Sequence, residues 1–110
     1  MTSASEFRIV FVTCGSTAEA RKIAKSVVEK RLAACVNMVG GTVESVYRWK
    51  GKVEKASERL LVIKTSAKLL KRLEQEVLRL HSYETTEFLA IPIAGGSKKY
   101  LAWLNRSLVL

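Results

Sequence analysis

Aspartate is missing from this sequence: its ten acidic residues are all glutamates, set against nineteen lysines and arginines for a net charge of +9. Histidine and proline occur once each and cysteine twice in 110 residues. These scarcities exclude several chemistries. Two thiols cannot build an all-cysteine zinc site, which takes four thiolates. Without an export signal they do not read as a disulfide framework either. There is no Walker A loop, no G-x-S-x-G elbow and no cysteine–histidine pair at local spacing. Glu84 and Glu87 are the carboxylates flanking the single histidine, but no nucleophile or second base accompanies them, so the expectation is a protein that is not an enzyme. No apolar run approaches the roughly 18 residues of a membrane span. Met1–Glu6 has neither the basic nor the apolar region of a secretory signal. The expectation is one cytoplasmic domain over residues 1–110, with 1–6 as a flexible N-terminal extension and no membrane partner.

What the chain does have is apolar pattern, with 48% hydrophobic residues. Phe7–Thr13 reads as a short buried strand. Ser16 and Glu19 follow at capping-box spacing. Ala20, Ile23, Ala24, Val27 and Val28 then trace one helical stripe, which ends near Arg31 or Ala33. From Cys35 to Trp49 the period becomes two, with a bend at Gly40-Gly41. Lys50-Gly51 reads as a hairpin turn, and the return strand covers Lys52–Thr65. Ser66 is placed to cap a second helix carrying Leu70, Leu73, Val77 and Leu80. A loop, His81–Thr86, leads to a strand over Glu87–Ile93, in which Pro92 demands an end or edge position. Ser97 caps a short last helix.

The order βαββαβ predicts the α+β class, a ferredoxin-like sandwich with a short C-terminal helix. The hairpin between its second and third strands is longer than usual. It carries Val43, Val46, Tyr47, Trp49 and Val53, and a projecting ribbon of that kind needs a partner surface. Oligomerisation is the expected answer.

Five segments resemble the CutA divalent-cation-tolerance family: RLAACVN (31–37), VYRWKGK (46–52), LVIKT (61–65), LHSYETTE (80–87) and YLAWL (100–104). The resemblance implies a homotrimer built through sheet edges and the ribbon, with no established enzymatic activity. It implies a link to tolerance of, or response to, divalent metal ions, copper above all. It also implies an architectural likeness to PII signalling proteins, which leaves a trimeric signalling or scaffold protein as the alternative. The family's copper-binding histidine corresponds to His81 and its carboxylate to Glu87. A second family histidine is Leu80 here, and the family thiol position falls at Val12, with Cys14 nearby. The family's two loop prolines are Ser82 and Thr86, which predicts a looser loop. The implied metal ligands are thus His81, Glu87 and Cys14, holding Cu2+ with modest affinity.

Each candidate also has a plainer reading. A lone histidine after a helix is ordinarily a capping donor. Cys14, two residues before a helix N-cap, is a small buried residue or a thiol of lowered pKa. Cys35 reads as core, and Trp49 and Trp103 as packing anchors. The charge of +9 invites polyanions, but the basic residues are scattered. The third strand, RLLVIKT, lacks the aromatics and glycine by which RRM-type sheets read RNA. No specific nucleic-acid partner is expected.

Overall fold

A computed structural model describes residues 3–109. The first apolar run becomes β1 (Phe7–Cys14), in which Phe7, Val10, Val12 and Cys14 are wholly buried. β1 is a central strand. It pairs antiparallel with the C-terminal half of β4 (Lys52–Ser66) and with β5 (Leu89–Pro92). β2 (Cys35–Met38) lies beyond β4, so the sheet order is β2-β4-β1-β5. This is the expected ferredoxin-like α+β arrangement. α1 (Thr17–Glu29) and α2 (Leu70–Leu80) bury Ala20, Ile23, Val27, Leu73 and Val77 in one core with Val10, Val12, Leu61 and Ile63. Each fully buried aliphatic side chain of this size contributes roughly 1.5–3 kcal/mol. α3 (Lys98–Ser107) adds Leu101 and Leu104 to that core, and Ser97 caps it by accepting the Tyr100 N–H at 3.2 Å.

The hairpin is a distinct region. β3 (Val43–Trp49) pairs only with the N-terminal half of β4, from Val43↔Glu58 to Trp49↔Lys52. Lys50 and Gly51 have φ of +50° and +80°. Positive φ at both central residues matches the right-handed twist of the flanking strands. The ribbon lengthens the molecule to 48 Å against 26 and 25 Å in the other directions. One ribbon face carries Val43, Ser45, Tyr47, Trp49 and Glu58, and the other carries Val46 and Val53. Val46 and Val53 are 66% and 62% exposed.

Several expectations need correction. Ser66 ends β4 and makes no capping bond, because a 3-10 turn, Ala67–Leu69, precedes α2. β5 has four residues, since Glu87 and Phe88 remain in the loop and the strand ends at Pro92, before Ile93. Cys35 is only half-buried, with Sγ 3.7 Å from the Tyr100 hydroxyl. Trp49 and Trp103 are both more than a third exposed rather than packed as anchors. Of the N-terminal extension, residues 1 and 2 lie outside the described residues. Ala4–Glu6 form a 3-10 turn in which Glu6 accepts the Ser3 N–H at 2.8 Å.

Candidate functional site

Three chain segments meet at one end of the core sheet. β1 ends at Cys14. The chain turns through Gly15 and Ser16, and Ser16 Oγ accepts the Glu19 N–H at 3.2 Å to start α1. α2 ends at Leu80, and His81 leaves it in extended conformation. The convergence brings one ligand atom each of Cys14, Glu19 and His81 within 4.8 Å of one another.

The His81 side chain is fully enclosed. Its Nε2 lies 2.7 Å from the Thr13 carbonyl, and its Nδ1 accepts the Tyr83 N–H at 3.1 Å. A carbonyl can only accept and an amide can only donate, so the partners assign the tautomer: Nε2 carries the proton and Nδ1 the lone pair. The ring is thus tied to β1. It does not reach back to the α2 carbonyls, as a helix cap would.

Glu19 supplies the anomaly. Its Oε1 accepts the Ser82 N–H at 3.0 Å, so the carboxylate has swung away from the reciprocal half of the expected capping box. Its Oε2 is buried without a hydrogen-bond partner and lies 3.6 Å from His81 Nδ1. Glu19 Oε2 is thus a buried acceptor without a donor, beside a ring nitrogen whose lone pair the Tyr83 N–H already uses, an arrangement native proteins avoid unless something serves it. A positive charge placed between them would relieve it.

Cys14 completes the group as a thiol. Burial, then the charges of Glu19 and Glu58, push it up to about 12. The thiol is raised and not lowered, contrary to one of the two sequence expectations, because β1 buries the sulfur completely. An incoming metal ion would have to displace the thiol proton. The donors fit a borderline divalent ion: imidazole, carboxylate and thiolate suit Cu2+ or Zn2+. Donation of Nε2–H to a backbone carbonyl is also how metal-ligating histidines are commonly oriented.

The loop after His81 is pinned where sequence predicted looseness. The Tyr83 ring packs against His81, with centroids 4.7 Å apart, and its hydroxyl donates to Glu58 Oε2 at 2.8 Å. Burial and the Glu58 carboxylate hold the phenol above its ordinary value, so it stays a donor. A Cβ on Gly15 would come within 3.1 Å of that hydroxyl, which is why the turn carries no side chain there.

Of the three ligands implied by resemblance, the structure joins His81 and Cys14. Glu87 is outside their cluster: with Glu84 it is exposed on the wall of a cavity of about 630 Å3 under the ribbon. Glu19 is the residue that sequence reading missed. Its spacing from Ser16 marked it as a cap partner, and nothing local announces contact with a loop more than sixty residues away.

Comparison with known proteins bears on the fold and its relatives. A family described as CutA1 divalent ion tolerance protein matches residues 8–107. The divalent-cation tolerance protein CutA of Thermus thermophilus is 46% identical over 99 residues, covering 90% of this chain and 95% of its own. A chloroplastic CutA protein of Arabidopsis thaliana is 50% identical over 99 residues, 90% of this chain and 54% of its own. The chain spans about half the length of the plant and mammalian relatives it matches. The solved Thermus structure superposes with a TM-score of 0.91 at 44% identity, covering 94% of this chain and 99% of that one. A protein from Archaeoglobus fulgidus, described as a periplasmic divalent cation tolerance protein, gives 0.88 at 38% identity, with 92% and 97% covered.

Proposed function

The chain belongs to the CutA1 divalent ion tolerance family, and from that premise we propose that it is a non-enzymatic homotrimer that binds a divalent ion, Cu2+, at Cys14, Glu19 and His81. The observation that carries this reading is the orphaned Glu19 Oε2 facing the unprotonated Nδ1 of His81 at 3.6 Å. A cation there gains two ligands, and the thiol is within reach as a third. Glu19 takes the place expected of Glu87. Affinity is modest, because the ion must displace the thiol proton and compete with the Tyr83 N–H for Nδ1.

Assembly rests on separate features. Among the described residues β3 pairs only with β4 and β5 only with β1, so each has an unpaired edge. Leu89 and Ile91 on β5 are 59% and 48% exposed, and Val46 and Val53 project from the ribbon. A ribbon edge of one copy laid on the β5 edge of the next is a head-to-tail contact, which makes a three-membered ring when the rotation between copies is about 120°. No helix among the described residues is long and apolar enough to cross a membrane. The cytoplasm is the proposed compartment, although relatives carry chloroplastic and periplasmic names.

Calorimetric titration with Cu2+ tests the metal half. The parent should bind about one ion per chain, and His81→Ala should lose that binding while remaining a trimer by light scattering. Equal binding by both proteins would refute the site, and a monodisperse monomer would refute the assembly.

A further inference from the structure

The cavity beneath the ribbon lies next to the Cys14–Glu19–His81 cluster but is built differently. Three carboxylates line it, Glu58, Glu84 and Glu87, together with three aromatic rings, Tyr47, Trp49 and Tyr83. Among the described residues no lysine or arginine lines it, in a chain whose net charge is +9. Glu58 carries the argument. It is only 6% exposed, yet among the described residues no basic group pairs with it. One of its oxygens accepts from the neutral Tyr83 hydroxyl. The neighbouring Arg59 is turned away and donates to Thr17 Oγ1 at 2.7 Å. A buried carboxylate without a counter-charge is costly, and the sequence offers ample cations that folding has not used.

The rest of the lining narrows the ligand. About 630 Å3 lies within the range of small-molecule sites and far exceeds the space of a bare metal ion. Aromatic faces attract organic ammonium groups, which shed water more readily than a metal ion does. Lys50 already demonstrates the contact, its Nζ lying 5.7 Å from the Trp49 ring centroid. Tyr47, Trp49 and Glu58 share one ribbon face, and Val46 of the opposite face also lines the cavity.

We propose that this cavity is a binding site for a small alkylated ammonium compound, with Glu58 as the buried counter-charge and Tyr47, Trp49 and Tyr83 as the walls around the cationic head.

Choline is the probe, and its uncharged isostere, with carbon in place of nitrogen, is the control. Protein-observed NMR titration of the intact protein should show choline binding and at least tenfold weaker binding of the isostere. Glu58→Gln preserves an acceptor for Tyr83 but removes the charge, and should weaken choline at least tenfold. Trp49→Ala should weaken it several-fold. Glu44→Gln, outside the cavity lining, should change nothing. Cu2+ binding should survive Glu58→Gln, and choline binding should survive Glu19→Gln, which separates this site from the metal cluster. Equal binding of choline and isostere, unaltered binding by Glu58→Gln, or no choline binding at millimolar concentration would each overturn the proposal. Competition by Ca2+ at equimolar choline would overturn it in favour of a bare-cation site.

Discussion

Glu76 and Glu19 are both carboxylates tucked against the core from a helix, and the fold treats them oppositely. Glu76, in α2, is fully served. Ser26 Oγ donates to it at 2.5 Å, Lys30 at 2.9 Å, and Arg79 binds both its oxygens at 2.9 and 2.7 Å. The Arg79 bonds first, then those from Ser26 and Lys30, hold its carboxyl far below the usual range. Glu19, in α1, has a single backbone donor and a bare oxygen 3.6 Å from an imidazole nitrogen. The contrast separates a carboxylate that ties two helices together from one left with capacity to spare. With nineteen basic residues available, a carboxylate oxygen without a donor beside the single histidine marks a place where charge balance is left to something else.

The largest effect on stability should come from Glu76→Ala, about 2 kcal/mol at neutral pH by chemical denaturation, since it strips hydrogen bonds from α1 and α2 together. The pH dependence has a definite sign. A folded-state value below the ordinary 4.5 means that Glu76 contributes its full stability above that pH. The contribution is lost as pH falls below it. The gap between parent and Glu76→Gln should therefore be wide at pH 7 and close progressively on acidification below about 4.5. A constant gap would show that the network has no electrostatic content.

Gly15→Ala should cost about 1–2 kcal/mol, because the new methyl pushes the Tyr83 ring off its contact with the turn. It should also broaden the Tyr83 ring resonances, and unchanged spectra would mean that the loop gives way freely. Glu19→Gln should cost less than about 0.5 kcal/mol or stabilise slightly, because its amide can donate where the carboxylate cannot. A loss as large as that of Glu76→Ala would erase the distinction between the two acids. The smallest effect expected is on thiol chemistry. Cys35 should react with alkylating reagents well before Cys14, and Glu19→Gln should quicken Cys14 only a few-fold, since burial outweighs charge in protecting it.

The architecture was largely legible in sequence because it is written in local periodicity. The stripe Ala20, Ile23, Val27, the alternation from Val43 to Trp49 and the Lys50-Gly51 turn each depend on neighbours a few residues away. The site was half legible. His81 stood out by scarcity and Cys14 by its place at a strand end. Glu19 did not, because its role comes from the meeting of the β1–α1 turn with the loop after α2, and Ser16 gave it a sufficient local explanation. The openness of Trp49 and the diversion of Glu87 to the cavity wall were hidden for the same reason: exposure depends on where the ribbon projects, not on the alternation along it.

The identity of the carboxylate ligand is the central claim, and Cu2+ calorimetry on Glu19→Gln and Glu87→Gln addresses it most directly. Glu19→Gln should weaken binding at least tenfold, while Glu87→Gln binds as the parent does, with parent affinity rising with pH as the Cys14 proton is displaced. Loss of binding in Glu87→Gln with Glu19→Gln unaffected would contradict the account and return the ion to the cavity wall.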